Sequence, residues 1–234
     1  MRTAILTGGG SGIGRAAAQA LAREGFRVGL LGRRADELRA TAEAIGADGG
    51  AAWWAAVDVR DQAAVEAFVA ATAERFGRID LLINNAGVFE LVPFDQLTLE
   101  QWRDTLEINL TGAFICARAA WPYLDGGQII NVSSVAGLEA YPGCAAYGAS
   151  KHGLIGLSEV LALEGQARHI RVHVICPGNT ETAAWRGQAP ADVQARMMRP
   201  EDVAEVIRWL AVSPAHVTFE PIVIRPARDP WKAS

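Results

Sequence analysis

Apolar segments of strand length alternate with segments of helical periodicity along the whole chain. Some apolar segments are continuous, as in Leu81-Leu82-Ile83, which is typical of parallel strands that are buried on both sides. Right-handed crossovers then lead to a doubly wound α/β fold of the Rossmann type, with about seven strands and helices on both faces. The pattern predicts strands at 3–6, 26–31, 51–57, 79–83, 128–132, 171–176 and 217–224. It predicts helices at 13–23, 35–45, 63–76, 99–124, 147–168 and 201–211, the fourth bent near Gly112.

A single domain is expected over residues 1–234. Half of the residues are hydrophobic, so a sizeable core needs neither disulfides nor a metal. No linker, repeat or low-complexity block separates a second unit. The one long irregular segment, 179–200, is predicted to be a short lid over a substrate.

Charge and composition exclude several classes of partner. The net charge of −4 offers no general attraction to nucleic acid or to an anionic membrane. The three cysteines form no CxxC pair and the four histidines lack metal-binding spacing, so reduced thiols and no metal site are expected. Neither a signal peptide nor a spanning segment is recognisable, so the expected location is the cytoplasm.

A glycine-rich segment, Thr7-Gly8-Gly9-Gly10-Ser11-Gly12-Ile13-Gly14, joins the first predicted strand to the first helix. Its glycines at 8, 12 and 14 allow a sharp turn and a close approach of the backbone to a pyrophosphate. The helix that follows offers unpaired N–H groups and a positive dipole end. A turn without a ligand is the alternative, but the position directly after the first strand favours a dinucleotide site.

The end of the second strand, Leu31-Gly32-Arg33-Arg34, indicates which dinucleotide would bind. In this type of fold an acid at that place contacts the 2′-hydroxyl of NAD. No acid occurs before Asp36, whereas Arg33 and Arg34 can make charge-assisted contacts to a 2′-phosphate. The residues therefore favour NADP(H), with NAD(H) as the alternative. Two solvated arginines at a strand end are the other interpretation.

Tyr147 and Lys151 are four residues apart in a predicted helix and so share one of its faces. A tyrosine with a pKa of about 10 is a poor base at neutral pH, and a nearby ammonium would lower that pKa. The pair therefore suggests proton transfer, although an ordinary amphipathic face explains it equally well. Ser133 and Ser134 follow the fifth strand, where a hydroxyl could donate to a substrate carbonyl.

Six motifs now occur in a recognisable order, and together they resemble the short-chain dehydrogenase/reductase superfamily over residues 2 to about 224. Each is weak alone, and the order makes the set specific. The motifs are TGGGSGIG at 7–14, NNAG at 84–87, INLTG at 108–112, VSS at 132–134, YGASK at 147–151 and PG at 177–178.

The resemblance implies a catalytic set of Asn109, Ser134, Tyr147 and Lys151. Ser134 matches the catalytic serine because it precedes Tyr147 by 13 residues, as is common in the family. Tyr147 would exchange a proton with the substrate oxygen, and Lys151 would bind the nicotinamide ribose and lower the tyrosine pKa. Asn109 would support a water-linked proton relay.

The resemblance also implies a set of cofactor contacts. Asp58 would meet the adenine amino group, Asn85 would lie near the adenosine ribose, and Pro177-Gly178 would adjoin the carboxamide. The full set comprises Gly8, Ser11, Gly12, Ile13, Gly14, Arg33, Arg34, Asp58, Val59, Asn85, Ala86, Gly87, Tyr147, Lys151, Pro177, Gly178, Thr180 and Thr182.

Two segments depart from the family pattern. Thr180 occupies a place that is often isoleucine, and the tail at 222–226 lacks a common Gly-Gly ending. That tail is similar to a subgroup of small NADP-dependent hydroxy-acid and serine dehydrogenases. By analogy, helices 99–124 and 147–168 are expected to form a homodimer or homotetramer interface. Trp185 and Met197-Met198 are candidates for either the pocket or the core.

The leading hypothesis is an NADPH-dependent carbonyl reductase that acts on a small molecule. A 3-oxoacyl-acyl-carrier-protein reductase would need a basic patch, for which Arg186, Arg196 and Arg199 are candidates. A sugar or polyol dehydrogenase is a third interpretation. A dinucleotide-sensing binding protein without turnover is the non-enzymatic one, and the presence of Ser134, Tyr147 and Lys151 argues against it.

Overall fold

Seven parallel strands form one sheet in the computed structural model, which describes residues 1–232. Across the sheet the order is β3-β2-β1-β4-β5-β6-β7. The chain winds outward from β1 to one edge, returns to β4 beside β1, and then winds to the other edge. This confirms the predicted doubly wound α/β sheet. The strands are β1 (Thr3–Thr7), β2 (Arg27–Gly32), β3 (Ala51–Ala56), β4 (Leu81–Asn84), β5 (Gln128–Val132), β6 (Arg171–Pro177) and β7 (Ile222–Ile224).

Helices cover both faces of the sheet, because neighbouring strand residues point to opposite sides. The helices are α1 (Gly12–Arg23), α2 (Ala35–Ala47), α3 (Gln62–Phe76), α4 (Leu99–Leu106), α5 (Gly112–Ala120), α6 (Ala145–Gly165), α7 (Ala191–Gln194) and α8 (Pro200–Ala211). In β1, Ala4 and Leu6 enter the core beneath α1, α2 and α8, whereas Ile5 enters the core beneath α3 and α5.

The segment predicted as one helix at 99–124 is interrupted. A π-helical turn, Glu107–Thr111, separates α4 from α5 just before Gly112, where a bend was expected. A side chain at Gly112 would come within 2.6 Å of the Val59 side chain, so glycine lets this turn pack closely on the loop after β3. Such turns are rare and frequently accompany functional sites, and this one buries Asn109.

The last strand is shorter than the predicted 217–224. It begins at Ile222 because Pro221 has no N–H to contribute to a ladder. Upstream, Phe219 packs its ring on Trp209 at a centroid distance of 4.7 Å, and Arg171 donates to the Val217 carbonyl at 3.1 Å. These contacts hold the segment before Pro221 away from strand geometry.

No helix within residues 1–232 is both long enough and apolar enough to cross a membrane. The same residues contain no cluster of three or more His, Cys, Asp or Glu side chains suited to a metal ion. Cys116, Cys144 and Cys176 are buried free thiols.

Candidate active site

A cleft of about 930 Å³ lies over the carboxyl ends of the strands, where the strand order reverses between β1 and β4. This is the position at which open α/β sheets bind ligands. It brings together most of the residues proposed from the sequence, and Gly14 and Asn109 lie just outside it. The proposed residues that line it are Gly8, Ser11, Gly12, Ile13, Arg33, Arg34, Asp58, Val59, Asn85, Ala86, Gly87, Ser134, Tyr147, Lys151, Pro177, Gly178, Thr180 and Thr182.

The glycine turn forms one end of the cleft. Gly8 and Gly12 have φ of +68° and +51°, which L side chains rarely adopt. A Cβ at Gly14 would lie 2.2 Å from the Gly8 carbonyl oxygen, so Gly14 permits the close packing of α1 beneath the turn. Within residues 1–232, the amides of Gly12, Ile13 and Gly14 donate to no acceptor. These donors at the α1 N-terminus fit the pyrophosphate of a dinucleotide.

Thr7 fixes the two central strands relative to each other, a role that the sequence analysis missed. Its buried hydroxyl accepts from the Asn85 amide at 2.9 Å and from the Ala86 amide at 2.8 Å. The Asn85 side chain also donates to the Thr7 carbonyl at 3.0 Å. The glycine turn after β1 and the NNAG segment after β4 therefore form one connected structure.

At the end of β2, Arg33 and Arg34 lie in different environments, although both were predicted to contact a 2′-phosphate. Arg33 is exposed, lines the cleft and forms no ion pair within the described chain. Arg34 is ion-paired with Glu37 at 2.8 Å and donates to the Ser11 hydroxyl at 2.9 Å. Of the two acids that follow in α2, Glu37 lines the cleft, whereas Asp36 bonds to Arg39.

Asp58 lies on the same side of the cleft, after β3. Arg60 contacts both of its oxygens, and the nearer pair of atoms is 2.8 Å apart. The hydrogen bond from the Arg60 side chain holds the pKa of Asp58 below its usual value. The carboxylate is therefore charged at neutral pH and available as an acceptor.

Tyr147 and Lys151 lie one turn apart on α6, beside Ser134 at the end of β5. The Lys151 Nζ donates to the Val132 carbonyl at 2.8 Å and lies 5.6 Å from the centre of the Tyr147 ring. The Ser134 hydroxyl accepts from the Ala136 amide at 3.1 Å. Ser133 instead donates to the Lys151 carbonyl at 3.0 Å. The Ser134 hydroxyl lies 3.5 Å from the Pro177 carbonyl oxygen, and Ser134 is the serine that lowers the pKa of Tyr147.

Burial controls the protonation of this pair. It raises the pKa of Tyr147 to about 12, against the opposing effect of the Ser134 hydroxyl. It lowers the pKa of Lys151 to about 8. Desolvation of the phenol is the largest effect on the Tyr147 pKa, and the Lys151 ammonium is bonded to the Val132 carbonyl. That Lys151 lowers the tyrosine pKa stays a prediction.

Asn109 is buried behind the cleft in the π-helical turn. Its amide accepts from the Val88 N–H at 2.8 Å, donates to the Val88 carbonyl at 2.9 Å and donates to Ser150 at 3.1 Å. It therefore connects the loop after β4 to α6. A Cβ at Gly87 would lie 3.2 Å from its oxygen and 3.7 Å from the Lys151 Nζ, so Asn109 and Lys151 flank the same glycine.

Aromatic side chains close the other end of the cleft. The Phe89 ring lies 4.8 Å from the Tyr147 ring and 4.9 Å from Trp185, and Trp185 lies 6.0 Å from Trp231. Phe89 and Trp231 were not identified from the sequence. The paired methionines are buried: Met198 packs in the core, and its backbone bridges to Thr180.

The lysine in this site leads to a prediction about stability. The folded protein holds the Lys151 proton with a pKa of about 8, against 10.5 for an ordinary lysine, so the unfolded chain binds it more tightly. Lys151 therefore destabilises the fold at neutral pH, and this cost disappears as the pH rises from about 8 to about 10.5. Relative to a Lys151→Met variant, wild type should gain up to ~3 kcal/mol in free energy of unfolding over that range.

Urea unfolding of both proteins at a series of pH values measures this difference. Lys232→Met is a matched control, because the Lys232 side chain is 83% exposed. A difference between wild type and Lys151→Met that does not change with pH would contradict the expected titration.

Comparisons with known proteins agree with this geometry. The family model for short chain dehydrogenase matches residues 2–192. The D-threitol dehydrogenase of Mycolicibacterium smegmatis is 39% identical over 222 residues, which cover 90% of this chain and 85% of that protein. The 3-oxoacyl-(acyl-carrier-protein) reductase of a Synechocystis species is 35% identical over 223 residues, with coverage of 92% and 90%.

A solved structure is similar over nearly the full length. The alcohol dehydrogenase of the archaeon Thermococcus sibiricus, complexed with 5-hydroxy-NADP, superposes with a TM-score of 0.90 at 28% identity and 97% coverage of each chain. The family model, the two relatives and this solved structure all indicate the same family and the same class of reaction. The chain belongs to the short chain dehydrogenase family and is an oxidoreductase that acts on alcohol or carbonyl groups of small molecules with a nicotinamide dinucleotide.

Proposed function

We propose that the chain is a carbonyl reductase that prefers NADPH and reacts at Ser134 and Tyr147. The observation that carries this proposal is that Ser134, Tyr147 and Lys151 line one cleft together with Arg33, which forms no ion pair within residues 1–232. Nicotinamide, when bound, supplies the hydride for reduction or accepts it in the reverse reaction.

The residues of the chain orient the substrate and move the proton. The Ser134 hydroxyl donates to the carbonyl oxygen as negative charge develops on it. Tyr147, which holds its proton firmly with a pKa of about 12, donates it to the same oxygen. Lys151 and the positive charge of an oxidised nicotinamide favour the phenolate once the proton has left. Asn109 holds the Val88 loop and α6 at a fixed spacing.

The preference for NADPH rests on the charges at the end of β2. Glu37 is neutralised by Arg34, so Arg33 is the cation left to meet a 2′-phosphate. We assign Asp58 and Val59 to the adenine and the amides of the glycine turn to the pyrophosphate. The segment of Pro177, Gly178, Thr180 and Thr182 is assigned to the nicotinamide end. The solved relative with a bound NADP analogue supports this choice.

We also propose a homo-oligomer. Phe114 on α5 and Val160 and Leu163 on α6 are 44%, 51% and 68% exposed, which is unusual for apolar side chains that share neighbouring helices. A partner subunit would cover them.

The carrier-protein reductase is less well supported by the structure. Of the three arginines proposed as a docking patch, Arg196 is ion-paired with Asp192 at 3.1 Å and Arg199 with Asp202 at 3.7 Å. Their charges are thereby partly cancelled. Only Arg186 of the three forms no ion pair in the described chain.

The decisive experiment is a panel of ketones, aldehydes and alcohols assayed with NADPH and NADH in parallel. We expect reduction of carbonyls with NADPH at a kcat/KM at least about tenfold above that with NADH, because one charge-assisted bond to the 2′-phosphate is worth more than 1.4 kcal/mol. Loss of the reduced nicotinamide absorbance measures the rate. A protein that binds the dinucleotide and turns over nothing in the panel would support the sensor hypothesis instead.

A further inference from the structure

The substrate end of the cleft is formed by three rings, Phe89, Trp185 and Trp231, which we call the aromatic wall. The wall begins at the Tyr147 ring, 4.8 Å from Phe89, and continues through Trp185 to Trp231. Trp231 is 47% exposed although it lines a cleft. A half-exposed indole that lines a cleft offers a surface for another apolar group.

Hydrogen bonds from two side chains hold the wall in place across segments that are far apart in sequence. Gln188, in the segment after β6, accepts from the Leu91 amide at 2.6 Å and donates to the Phe89 carbonyl at 3.2 Å. Arg196 donates to the carbonyl of Pro230 at 3.0 Å, next to Trp231. Since Pro230 is buried, the tail is anchored at this point. The wall is therefore assembled before any substrate arrives, which favours rigid recognition.

The charged side chains at this end are already paired. Arg225 is bonded to Glu139 at 2.5 Å, and Tyr141 donates to the same carboxylate at 2.9 Å. Asp229 accepts from the Trp231 amide at 3.0 Å and lies 3.7 Å from the Lys232 Nζ. A substrate with several hydroxyls would lose hydrogen bonds to water at this end of the cleft and would find few free partners to replace them. That loss costs binding free energy.

We infer that the substrate is a ketone, or the corresponding secondary alcohol, whose carbonyl carbon adjoins or belongs to an apolar ring. The ring packs on the aromatic wall while the oxygen faces Ser134 and Tyr147. The reaction balances as the proposed function requires: the carbonyl carbon gains a hydride from NADPH, and the oxygen gains a proton from Tyr147. NADP⁺ and the alcohol leave, and Tyr147 regains a proton from solvent. This inference rests on the proposed function and adds the substrate class.

The same geometry makes Gln188 a positioning residue. Its side-chain amide contacts the Phe89 carbonyl and the Leu91 N–H and does not line the cleft. Loss of those two hydrogen bonds would free the loop that carries Phe89, while all three rings of the aromatic wall would still be present.

The test compares acetophenone and cyclohexanone with two open-chain carbonyls, erythrulose and propanal, using NADPH. We expect wild type to favour the ring ketones over erythrulose by about tenfold or more in kcat/KM, the size that one apolar contact supplies. Trp231→Ala should lose about tenfold in kcat/KM for the ring ketones, mainly through KM, and the loss for propanal, which has no ring, should be clearly smaller. Calorimetry with 1-phenylethanol should show the same loss in binding.

Trp209→Ala is the matched control, because Trp209 is also 47% exposed and lies on α8 outside the cleft. Gln188→Leu, which keeps the side-chain length, should reduce the preference for ring ketones without removing a ring. Equal or better turnover of erythrulose by wild type would overturn the inference, as would a Trp231→Ala protein that behaves like Trp209→Ala. No turnover of any carbonyl, propanal included, would instead refute the proposed function.

Discussion

Replacement of Tyr147 by phenylalanine is expected to abolish turnover while the fold and NADPH binding persist. The substitution keeps the ring, and with it the edge contact to Phe89, and removes only the hydroxyl. That hydroxyl is the group placed beside Ser134 to protonate the substrate oxygen. Loss of a positioned general acid costs about 10²–10⁴ in rate, and the loss of the Ser134 partnership adds to it. We therefore expect kcat to fall by at least about 10³-fold.

Steady-state kinetics and calorimetric titration with NADPH separate the two effects. Tyr141→Phe is the matched control, since Tyr141 also lines the cleft but donates its hydroxyl hydrogen to Glu139. It should retain most of the activity. Turnover at the wild-type rate in Tyr147→Phe would remove Tyr147 from the proposed mechanism.

Replacement of Arg33 by alanine is expected to raise the KM for NADPH by about 10- to 100-fold and to leave the KM for NADH almost unchanged. A charge-assisted bond to a phosphate is worth about 1.5–3 kcal/mol, which corresponds to that factor. The effect should be selective because NADH presents a hydroxyl where NADPH presents a dianion. Arg34 cannot take over fully, since its guanidinium is bonded to Glu37 and Ser11.

Parallel titrations with the two dinucleotides measure this selectivity. Arg23→Ala serves as the control, because Arg23 is an exposed arginine at the end of α1 and does not line the cleft. Equal losses for NADPH and NADH in Arg33→Ala, or a wild-type preference for NADH, would show that the 2′-phosphate is recognised elsewhere.

Much of the fold followed from periodicity, because strands buried on both faces and amphipathic helices leave regular patterns. The exceptions have local physical causes. The π-helical turn at 107–111 inserts one extra residue into a helical run, and hydrophobic periodicity does not register a change of that size. The start of β7 depends on Pro221, which lies inside the segment 217–224 that was predicted as one strand from its apolar residues.

The centre of the site could be predicted because the topology brings the ends of β1, β4, β5 and β6 to one edge. The aromatic wall could not, since it depends on how three loops fold toward one another. One available signal was overlooked. The chain has 22 cationic side chains of which only Lys151 and Lys232 are lysines. A lysine within a helix of such a chain indicates a need for a compact ammonium.

The protonation states of Tyr147 and Lys151 also could not be predicted from their spacing in the sequence. The i,i+4 relation of Tyr147 and Lys151 predicts proximity, and proximity suggests a lowered tyrosine pKa. Burial raises the pKa of Tyr147 and lowers the pKa of Lys151, so it favours the neutral form of each group. How deeply each group is buried depends on the whole fold.

The strand order has a consequence for folding. Strands β1 to β3 form one half of the sheet and β4 to β7 the other, and within the sheet the halves meet where β1 pairs with β4. The glycine turn and Arg33 belong to the first half, and Ser134, Tyr147 and Lys151 to the second. A dinucleotide bound in the cleft therefore contacts both halves, and by mass action it stabilises the folded chain by about 2.7 kcal/mol at one hundred times its Kd. The free energy of unfolding of the enzyme should then rise with the logarithm of the free concentration of its own cofactor.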